Sequence, residues 1–386
     1  MADTTAGSSN VDMNSAKPLY TLNHTNEVET NRLDSNHYNL YLPMQGGHAV
    51  PPHIKAHLES IKGGARVIDV GTGTGCFLTT LAEQVPSTKQ LDGFDPDTSK
   101  FPAADTLPKN VRLMGGDATQ PFPEEMNMSG SYDLVHARLQ FFSWRKDEWP
   151  RVIQAMVALL KPGGHLLWHE GGWHGWQTIP PSLAFDEYLG HEIKRTMALG
   201  REPIPAFKLP GWFKDAGLRD INKEVFNVLQ DEKIQRLGAD VLYTVCYQSA
   251  LGVADQGDTP GLATRERVHE LFRQIKADFD AGLVGQEFRW VWGRKPLVGE
   301  GVEGPPTPAA SSTYEVSAGM AGLRLGKDEA SATPRTHKRK SSLFAWVKDA
   351  LALNGGSKGK DASSNKSAEA EPAPAATAAP TTTTTA

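Results

Sequence analysis

The sequence Val67-Ile68-Asp69-Val70-Gly71-Thr72-Gly73-Thr74-Gly75 decides the fold of this chain. It reads as a buried β-strand that runs directly into a glycine-rich turn. Val67, Ile68 and Val70 are β-branched and nearly continuous, as in a parallel strand that is covered on both faces. The three glycines remove large side chains where the backbone bends sharply and can approach a ligand. We therefore interpret this stretch as the ligand-binding corner of a sheet.

A glycine cluster alone is a weak signal, and a tight turn without a ligand is the competing interpretation. The residues after the turn add context because they form an amphipathic helical pattern. Its apolar positions are Phe77, Leu78, Leu81 and Ala82. Strand, glycine turn and helix thus coincide, as they do where nucleotide-like ligands bind.

Composition predicts a globular core in an intracellular protein. Apolar residues make up 39% of the chain and there are 9 Trp, which is ample for a sizeable core. Only Cys76 and Cys246 are present, which argues against a disulfide framework and suits the cytoplasm or the nucleus. The net charge of -5 gives no basic footprint for nucleic acid. No signal peptide is predicted, and no apolar run approaches the roughly 20 residues of a transmembrane helix.

Composition also divides the chain into three regions. Residues 1–16 are polar and predict a disordered leader, residues 17–297 a folded domain, and residues 298–386 a disordered low-complexity tail. An apolar pattern at 342–353 predicts a short amphipathic helix after the basic cluster Lys338-Arg339-Lys340. A surface helix without a function competes there with docking of a protein partner, membrane-surface contact or nuclear import.

Periodicity within the folded domain predicts strands that alternate with helices. Two helices precede the first strand. Further strands are expected at 90–95, 111–114, 132–137, 165–170, 218–228 and 286–293, with helices at 146–160, from 181, and within 231–281, and a turn at 209–217. This order favours a doubly wound, Rossmann-like α/β fold with a parallel sheet, in which ligands bind at the carboxyl ends of the strands.

The spacing of the glycines discriminates between ligand classes. Dinucleotide-binding turns need G-x-G-x-x-G, but Gly75 comes one place early and Cys76 occupies the third glycine position. A phosphate-binding P-loop is excluded because the Gly-Lys-Ser/Thr ending is absent. An NAD-dependent oxidoreductase is therefore disfavoured.

Acidic residues follow the second and third strands. Asp95, at the end of the second strand, can accept hydrogen bonds from both hydroxyls of a ribose, although a solvated loop aspartate is the competing interpretation. Gly116-Asp117-Ala118 follows the third strand, and an aspartate there is by itself more often a turn residue.

Taken together, these motifs resemble those of class I S-adenosylmethionine-dependent methyltransferases. Tyr132 to Arg138 resembles the fourth-strand motif and Leu159 to Gly164 the turn before the fifth strand. The resemblance implies S-adenosyl-L-methionine as cofactor, with Asp117 on the adenine amino group. The cofactor-binding residues that it implies are His37, Asp69, Gly71, Thr72, Gly73, Gly75, Asp95, Asp117, Ala118 and His136.

Residues 27–296 are more narrowly similar to the LaeA-like fungal methyltransferases. The similarity rests on Glu29-Thr30-Asn31-Arg32-Leu33 with His37, on Trp149-Pro150-Arg151 and on Trp292 to Pro296, while Cys76 and Asn36 depart from the family pattern. It implies methylation of a small secondary metabolite, with His37 on a helical N-terminal lid over the cofactor. The alternative is the branch that regulates secondary-metabolite gene clusters in the nucleus through protein partners.

A general base assists methyl transfer to a hydroxyl, and histidines at strand ends are candidates for that role. His169 with Glu170 is the preferred catalytic pair and His136 a further candidate, with oxygen slightly favoured as the atom methylated. A hydrogen-bonded structural histidine is the competing interpretation. Trp173, Trp176, the helix from 181 and the segment 231–281 are expected to build the acceptor pocket, and they suit a core equally well. No cluster has metal-ligand spacing.

Overall fold

The computed structural model describes residues 26–122, 128–257 and 259–300, without the side chains of Asn26 and Val28. The predicted leader at 1–16, the tail beyond residue 300 and its helix at 342–353 lie outside the described residues. Within those described ranges, no helix combines the length and the apolar character needed to cross a bilayer.

Helices and strands alternate along the described chain, as the periodicity predicts. The strands are β1 (Arg66–Val70), β2 (Gln90–Asp95), β3 (Val111–Gly115), β4 (Tyr132–Arg138), β5 (Leu160–Glu170), β6 (Gln177–Ile179), β7 (Arg219–Asn227), β8 (Leu283–Gly285) and β9 (Glu287–Arg294). The helices are α1 (Asn26–Ser35), α2 (Leu42–Met44), α3 (Pro52–Ser60), α4 (Cys76–Gln84), α5 (Glu148–Leu159), α6 (Leu183–Ala198), α7 (Pro205–Asp215), α8 (Glu232–Gln256) and α9 (Arg265–Ala281).

The central sheet has seven strands in the order β3-β2-β1-β4-β5-β9-β7. The five strands from β3 to β5 are parallel, which confirms the doubly wound, Rossmann-like prediction. The predicted parallel pairing holds for these five strands, and β9 differs from it because it runs antiparallel to both β5 and β7. β9 begins beside the carboxyl end of β5, where Arg289 pairs with Glu170, and it ends beside His165. It therefore runs antiparallel to β5.

The strand order reverses at β1, which lies between β2 and β4. Val70 at the end of β1 is in register with Phe94 of β2 and Ala137 of β4. The Gly71 N–H then donates a 2.7 Å hydrogen bond to the Phe94 carbonyl oxygen. The carboxyl ends of these three strands therefore meet at one switch point, where α/β sheets place their ligands.

Buried apolar side chains of the described residues form three clusters. One lies on the face covered by α5 and α7, where Trp149 and Trp168 are both 0% exposed. A second lies on the opposite face, under α3 and α4, and includes Leu78. The third joins α6, α8 and α9. Helices thus cover both faces of the sheet, which explains the continuous apolar run in β1.

Two local predictions are corrected. The turn expected at 209–217 is the second half of α7, although Pro210 lies inside that helix. Leu209 and Phe213 are 0% exposed, so tertiary packing overrides the proline signal. Between the predicted strand at 165–170 and the predicted helix from 181, where no element was predicted, the chain forms β6, which pairs with β8. Three-residue strands are too short to show a period.

The first helix continues beyond α1 through a π-helical segment, Asn36–Tyr41. Its wider turn places His37, Leu40 and Tyr41 among the buried residues. Such segments are frequent at functional sites.

The imidazole of His165 on β5 predicts how stability depends on pH. Its ring centroid lies 4.8 Å from that of His57 and 6.4 Å from that of His53. Burial, and then these two neighbours, lower the pKa of His165 to about 4. Between the unfolded pKa of about 6.5 and the folded value, only the unfolded chain takes up this proton, so stability falls as pH falls.

We expect wild-type protein to lose about 1 kcal/mol more unfolding free energy than His165→Gln between about pH 7.5 and pH 5, after discounting for solvent screening. Urea unfolding at both pH values measures the difference. Exposed His48→Gln serves as the control. Equal pH dependence of wild type and His165→Gln would contradict the assignment.

Candidate active site

The glycine turn after β1 presents bare backbone at the switch point. Gly71, Gly73 and Gly75 have φ angles of 76°, 57° and 77°, a region that favours glycine. A Cβ on Gly71 would lie 2.2 Å from Gln140 Nε2, and one on Gly73 3.2 Å from Leu33 Cδ1. Side chains from β4's loop and from α1 therefore pack directly over the turn.

Asp95 ties the end of β2 to this turn. Its Oδ2 accepts the Gly73 N–H at 2.9 Å and its Oδ1 accepts the Asp97 N–H at 2.9 Å. The residue is 6% exposed, and burial raises the pKa of the carboxyl although both N–H groups oppose the shift. An ionised carboxylate offers about four lone-pair sites, so two remain for a ligand in the cavity.

The loop after β3 adds a second aspartate to the same cavity. Asp117 Oδ1 accepts hydrogen bonds from the Thr119 N–H and the Thr119 hydroxyl, both at 2.8 Å. Asp117 therefore stabilises a turn through Oδ1, as the turn interpretation predicts. The residue also lines the cavity. The predicted cofactor residues that line the cavity are Gly71, Thr72, Gly73, Asp95, Asp117 and Ala118.

The remaining predicted cofactor residues lie behind the cavity wall. His136 Nδ1 lies 2.7 Å from Asp69 Oδ1, and its ring stacks on Phe77 with 3.7 Å between centroids. Burial lowers the pKa of His136 although Asp69 opposes the shift, so a neutral imidazole donates to the carboxylate. Gly75 begins α4 and also lies outside the lining. Asp69, Gly75 and His136 therefore lie outside the cavity lining, in or next to the elements that carry the glycine turn.

His37 also lies outside the cavity lining. It contacts Arg138, a cationic residue that lines the cavity. Arg138 Nη1 lies 2.8 Å from His37 Nδ1, and His37 Nε2 lies 2.8 Å from Thr80 Oγ1. Burial, then Arg138, lower the pKa of His37 to about 2, so the neutral ring accepts from Arg138. The sequence pointed to the motif containing Arg138 without assigning this side chain to the site.

The cavity at the switch point measures about 970 Å³, at the upper end for small-molecule sites. Its lining includes two chemically different groups of residues, and most of the apolar group belongs to one packed cluster. The glycine turn, Asp95 and Asp117 form the polar group. The apolar group, here called the acceptor end, consists of Phe141, Phe142, Trp176, Leu242, Val245 and Phe288.

The predicted acceptor pocket is partly correct in its residues. Trp176 and residues of α8 line the cavity, whereas Trp173 and α6 do not. Trp173 is instead in the third core cluster, 4% exposed, with its ring centroid 4.6 Å from that of Trp176.

The structure places the predicted catalytic residues His169, Glu170 and His136 outside the cavity lining, and their catalytic role stays a prediction. They are 1%, 0% and 2% exposed and none lines the cavity. His169 Nδ1 lies 3.0 Å from Gln45 Nε2, and burial lowers the pKa of the ring well below its ordinary value. Position at the end of a strand did not reveal that Gln45, the Gln140 backbone and Phe77 of α4 contact His169, Glu170 and His136 respectively.

Glu170 holds the cavity loop that follows β4. Its Oε2 accepts the Gln140 N–H at 2.9 Å and the Trp168 indole N–H at 3.0 Å, and its Oε1 accepts the Gly171 N–H. Burial raises the pKa of this carboxyl to about 8. Glu170 is therefore a positioning residue, since it fixes the backbone of Gln140 in the wall.

Comparison with known proteins agrees with this geometry. A family model described as a methyltransferase domain matches residues 45–238. The N-methyltransferase tcpN of Claviceps purpurea is 30% identical over 224 residues, which cover 54% of this chain and 79% of that protein.

The chain belongs to the methyltransferase family.

Two further relatives are more distant. The methyltransferase grgD of a Penicillium species is 28% identical over 56% of this chain and 76% of its own length. The secondary metabolism regulator LAE1 of Pyricularia oryzae is 26% identical over 48% of this chain and 58% of its own length. The predicted resemblance to LaeA-like fungal methyltransferases is confirmed.

This methyltransferase uses S-adenosyl-L-methionine, and the residues present fit that cofactor. The glycine turn admits a ligand to its backbone, and Asp95 keeps acceptor sites for hydroxyl groups. Thr72 adds a buried hydroxyl, 5% exposed, whose oxygen makes no hydrogen bond within the described residues. Which residue contacts which cofactor atom stays a prediction.

Asp95→Asn tests the cofactor end of the site. The amide replaces one accepting oxygen with a donor that faces a backbone N–H, so we expect affinity for S-adenosylhomocysteine to fall by about 10- to 100-fold. Isothermal titration calorimetry measures it. The control Asp105→Asn changes an exposed aspartate outside the cavity lining. Equal affinities of the two variants would show that Asp95 does not hold the cofactor.

His169→Gln tests the catalytic prediction for His169. Because the ring is buried and outside the cavity lining, we expect a lower unfolding temperature but less than a tenfold loss of methyl transfer, whereas losing a general base costs about 10²- to 10⁴-fold. Radiolabel transfer to a fungal metabolite extract measures activity. A loss of about 10³-fold with normal cofactor affinity would restore His169 as the base.

Proposed function

We propose that this chain transfers a methyl group to a nitrogen atom of a flat, largely apolar secondary metabolite. The observation that carries the proposal is the division of the cavity into a polar cofactor region and an aromatic acceptor end. Its volume of about 970 Å³ suits two ligands held together. When bound, S-adenosylmethionine supplies a methyl group already activated by its sulfonium charge.

The chain's own residues then have to bind, orient and exclude water. Asp95 accepts from the ribose hydroxyls and Asp117 from the adenine amino group in this proposal. Arg138 lines the cavity and is a cationic partner for the amino-acid carboxylate. Leu33 of α1 packs over Gly73 and helps to close the cofactor region. Positioning the acceptor opposite the sulfur accounts for most of the acceleration.

The choice of nitrogen follows from the groups that line the acceptor end. The sequence slightly favoured oxygen, and a general base would assist methyl transfer to a hydroxyl, but no histidine of the described residues lines the cavity. Tyr41 does line it, but burial raises the pKa of its phenol, which makes it a poor source of a base at neutral pH. A neutral amine carries its own lone pair and needs no base before attack. The name of the Claviceps relative also supports nitrogen.

The alternative, a nuclear regulator that acts through protein partners, is favoured by the similarity to LAE1. The predicted partner-binding tail lies outside the described residues. Deleting residues 298–386 separates the two functions. A methylated metabolite that both the full-length and the truncated protein produce supports the enzyme. No methylated metabolite from either protein, with nuclear location or partner recovery lost on truncation, supports the regulator.

We expect the protein, given carbon-13 methyl-labelled S-adenosylmethionine and an extract of a fungal strain lacking it, to label a small molecule at nitrogen. The chemical shift of the labelled methyl group in NMR distinguishes nitrogen from oxygen and carbon. Heat-denatured protein is the control. Label on oxygen or carbon would overturn the choice of atom, and label on protein alone would overturn the small-molecule acceptor.

A further inference from the structure

Arg201, in the segment between α6 and α7, has a buried guanidinium that no described residue hydrogen-bonds. The residue is 2% exposed, and its Nε, Nη1 and Nη2 atoms make no hydrogen bond within the described residues. A guanidinium has five N–H donors and no acceptor, and it remains charged in proteins. Leaving such donors unsatisfied costs free energy that a bound anion would offset.

The segment that carries Arg201 lies directly behind the cavity wall. Its backbone forms an antiparallel bridge with Arg145, which lines the cavity, and the Lys146 N–H donates to the Gly200 carbonyl at 2.7 Å. On the other side, a Cβ on the lining residue Gly172 would lie 3.6 Å from the Pro203 carbonyl oxygen. Residues 200–203 therefore contact the wall at two places.

Nearby carboxylates make no hydrogen bond to this guanidinium, although the charge on Glu192 acts to raise its pKa. Glu192, 0% exposed, already makes two 3.1 Å hydrogen bonds to Arg195. Glu202 is 3% exposed, but its Oε1 accepts the Ile204 N–H at 3.2 Å, and no ion pair within 4.0 Å joins it to Arg201. Burial and then Arg195 lower the pKa of Arg201 to about 10, which leaves it protonated at neutral pH.

We propose that Arg201, with Arg195 close by, binds an oxyanion behind the cavity wall at Arg145 and Gly172. The planar fork of a guanidinium matches a carboxylate, which can accept two parallel hydrogen bonds. Arg201 does not itself line the cavity, so a carboxylate on the methyl acceptor is one source of this anion only if it passes between the wall residues Arg145 and Gly172, and in that form the inference rests on the proposed function. A free anion from solution supplies the same chemistry.

Thermal unfolding of the full-length protein tests the site with acetate as probe. Acetamide is the neutral analogue, and chloride keeps ionic strength constant. We expect acetate, at ten times its dissociation constant, to raise the unfolding temperature by roughly 3 °C, and acetamide and chloride to have no such effect. Arg201→Gln should abolish the shift. Arg236→Gln, which changes an exposed arginine on α8, should retain it.

A second arm distinguishes the two sources. If acetate inhibits methyl transfer competitively with the acceptor, the site holds the acceptor's carboxylate; if it stabilises without inhibiting, the site holds a free anion. Both results support the site. Failure of methyl transfer without acetate would overturn the proposed function and leave the unfolding result standing.

Equal wild-type unfolding temperatures in acetate, acetamide and chloride would overturn the site, as would an undiminished acetate shift in Arg201→Gln. If Arg201→Gln does not fold, Arg201→Lys replaces it, because lysine keeps the charge without the fork. The rise in unfolding temperature that acetate causes should be smaller in Arg201→Lys than in wild type. The comparison of acetate, acetamide and chloride on wild-type protein tests the site without any variant.

Discussion

The hydrogen bond from the Gly73 N–H to the Asp95 carboxylate joins the two features on which the site depends. It links the turn after β1 to the end of β2 across the switch point. The glycines provide a backbone that a ligand can approach, and Asp95 sets where that backbone lies. Because the carboxylate keeps lone pairs directed elsewhere, the same group can organise the turn and receive a ligand.

Beneath this turn lies a layer of buried polar side chains that supports the cavity without lining it. His136 on Asp69, His37 on Arg138, and Glu170 on the backbone of Gln140 each satisfy a buried group. Burial keeps both imidazoles neutral, so the layer contributes fixed hydrogen bonds rather than mobile protons. Satisfied polar networks of this kind hold neighbouring loops in one conformation. The chemistry is therefore one of positioning, which suits a methyl group that arrives already activated.

Local patterns made much of the fold predictable. The β-branched run of β1, the glycine turn and the acid after β2 each have a cause within a few residues, and the structure places them as expected. Pairing direction is a tertiary property, so the antiparallel β9 could not be read from its own residues. Pro210 predicted a turn, but burial of Leu209 and Phe213 keeps α7 continuous through it.

The site was less predictable than the fold because strand position does not show what covers a side chain. His169 follows the pattern of a catalytic base, yet elements distant in sequence bury it. Arg138 and Arg201 belong to no motif that assigns them a role. Arg138 lines the cavity and Arg201 pairs with the wall residue Arg145, and both placements depend on the tertiary structure.

The most direct test of the central claim is a calorimetric titration of the full-length protein with S-adenosylhomocysteine and, separately, with NAD⁺. The glycine spacing, Asp95 and Asp117 predict saturable binding of S-adenosylhomocysteine at one site and no detectable heat with NAD⁺. Binding of NAD⁺ in preference, or of neither ligand, would contradict the assignment of the switch-point cavity to S-adenosylmethionine.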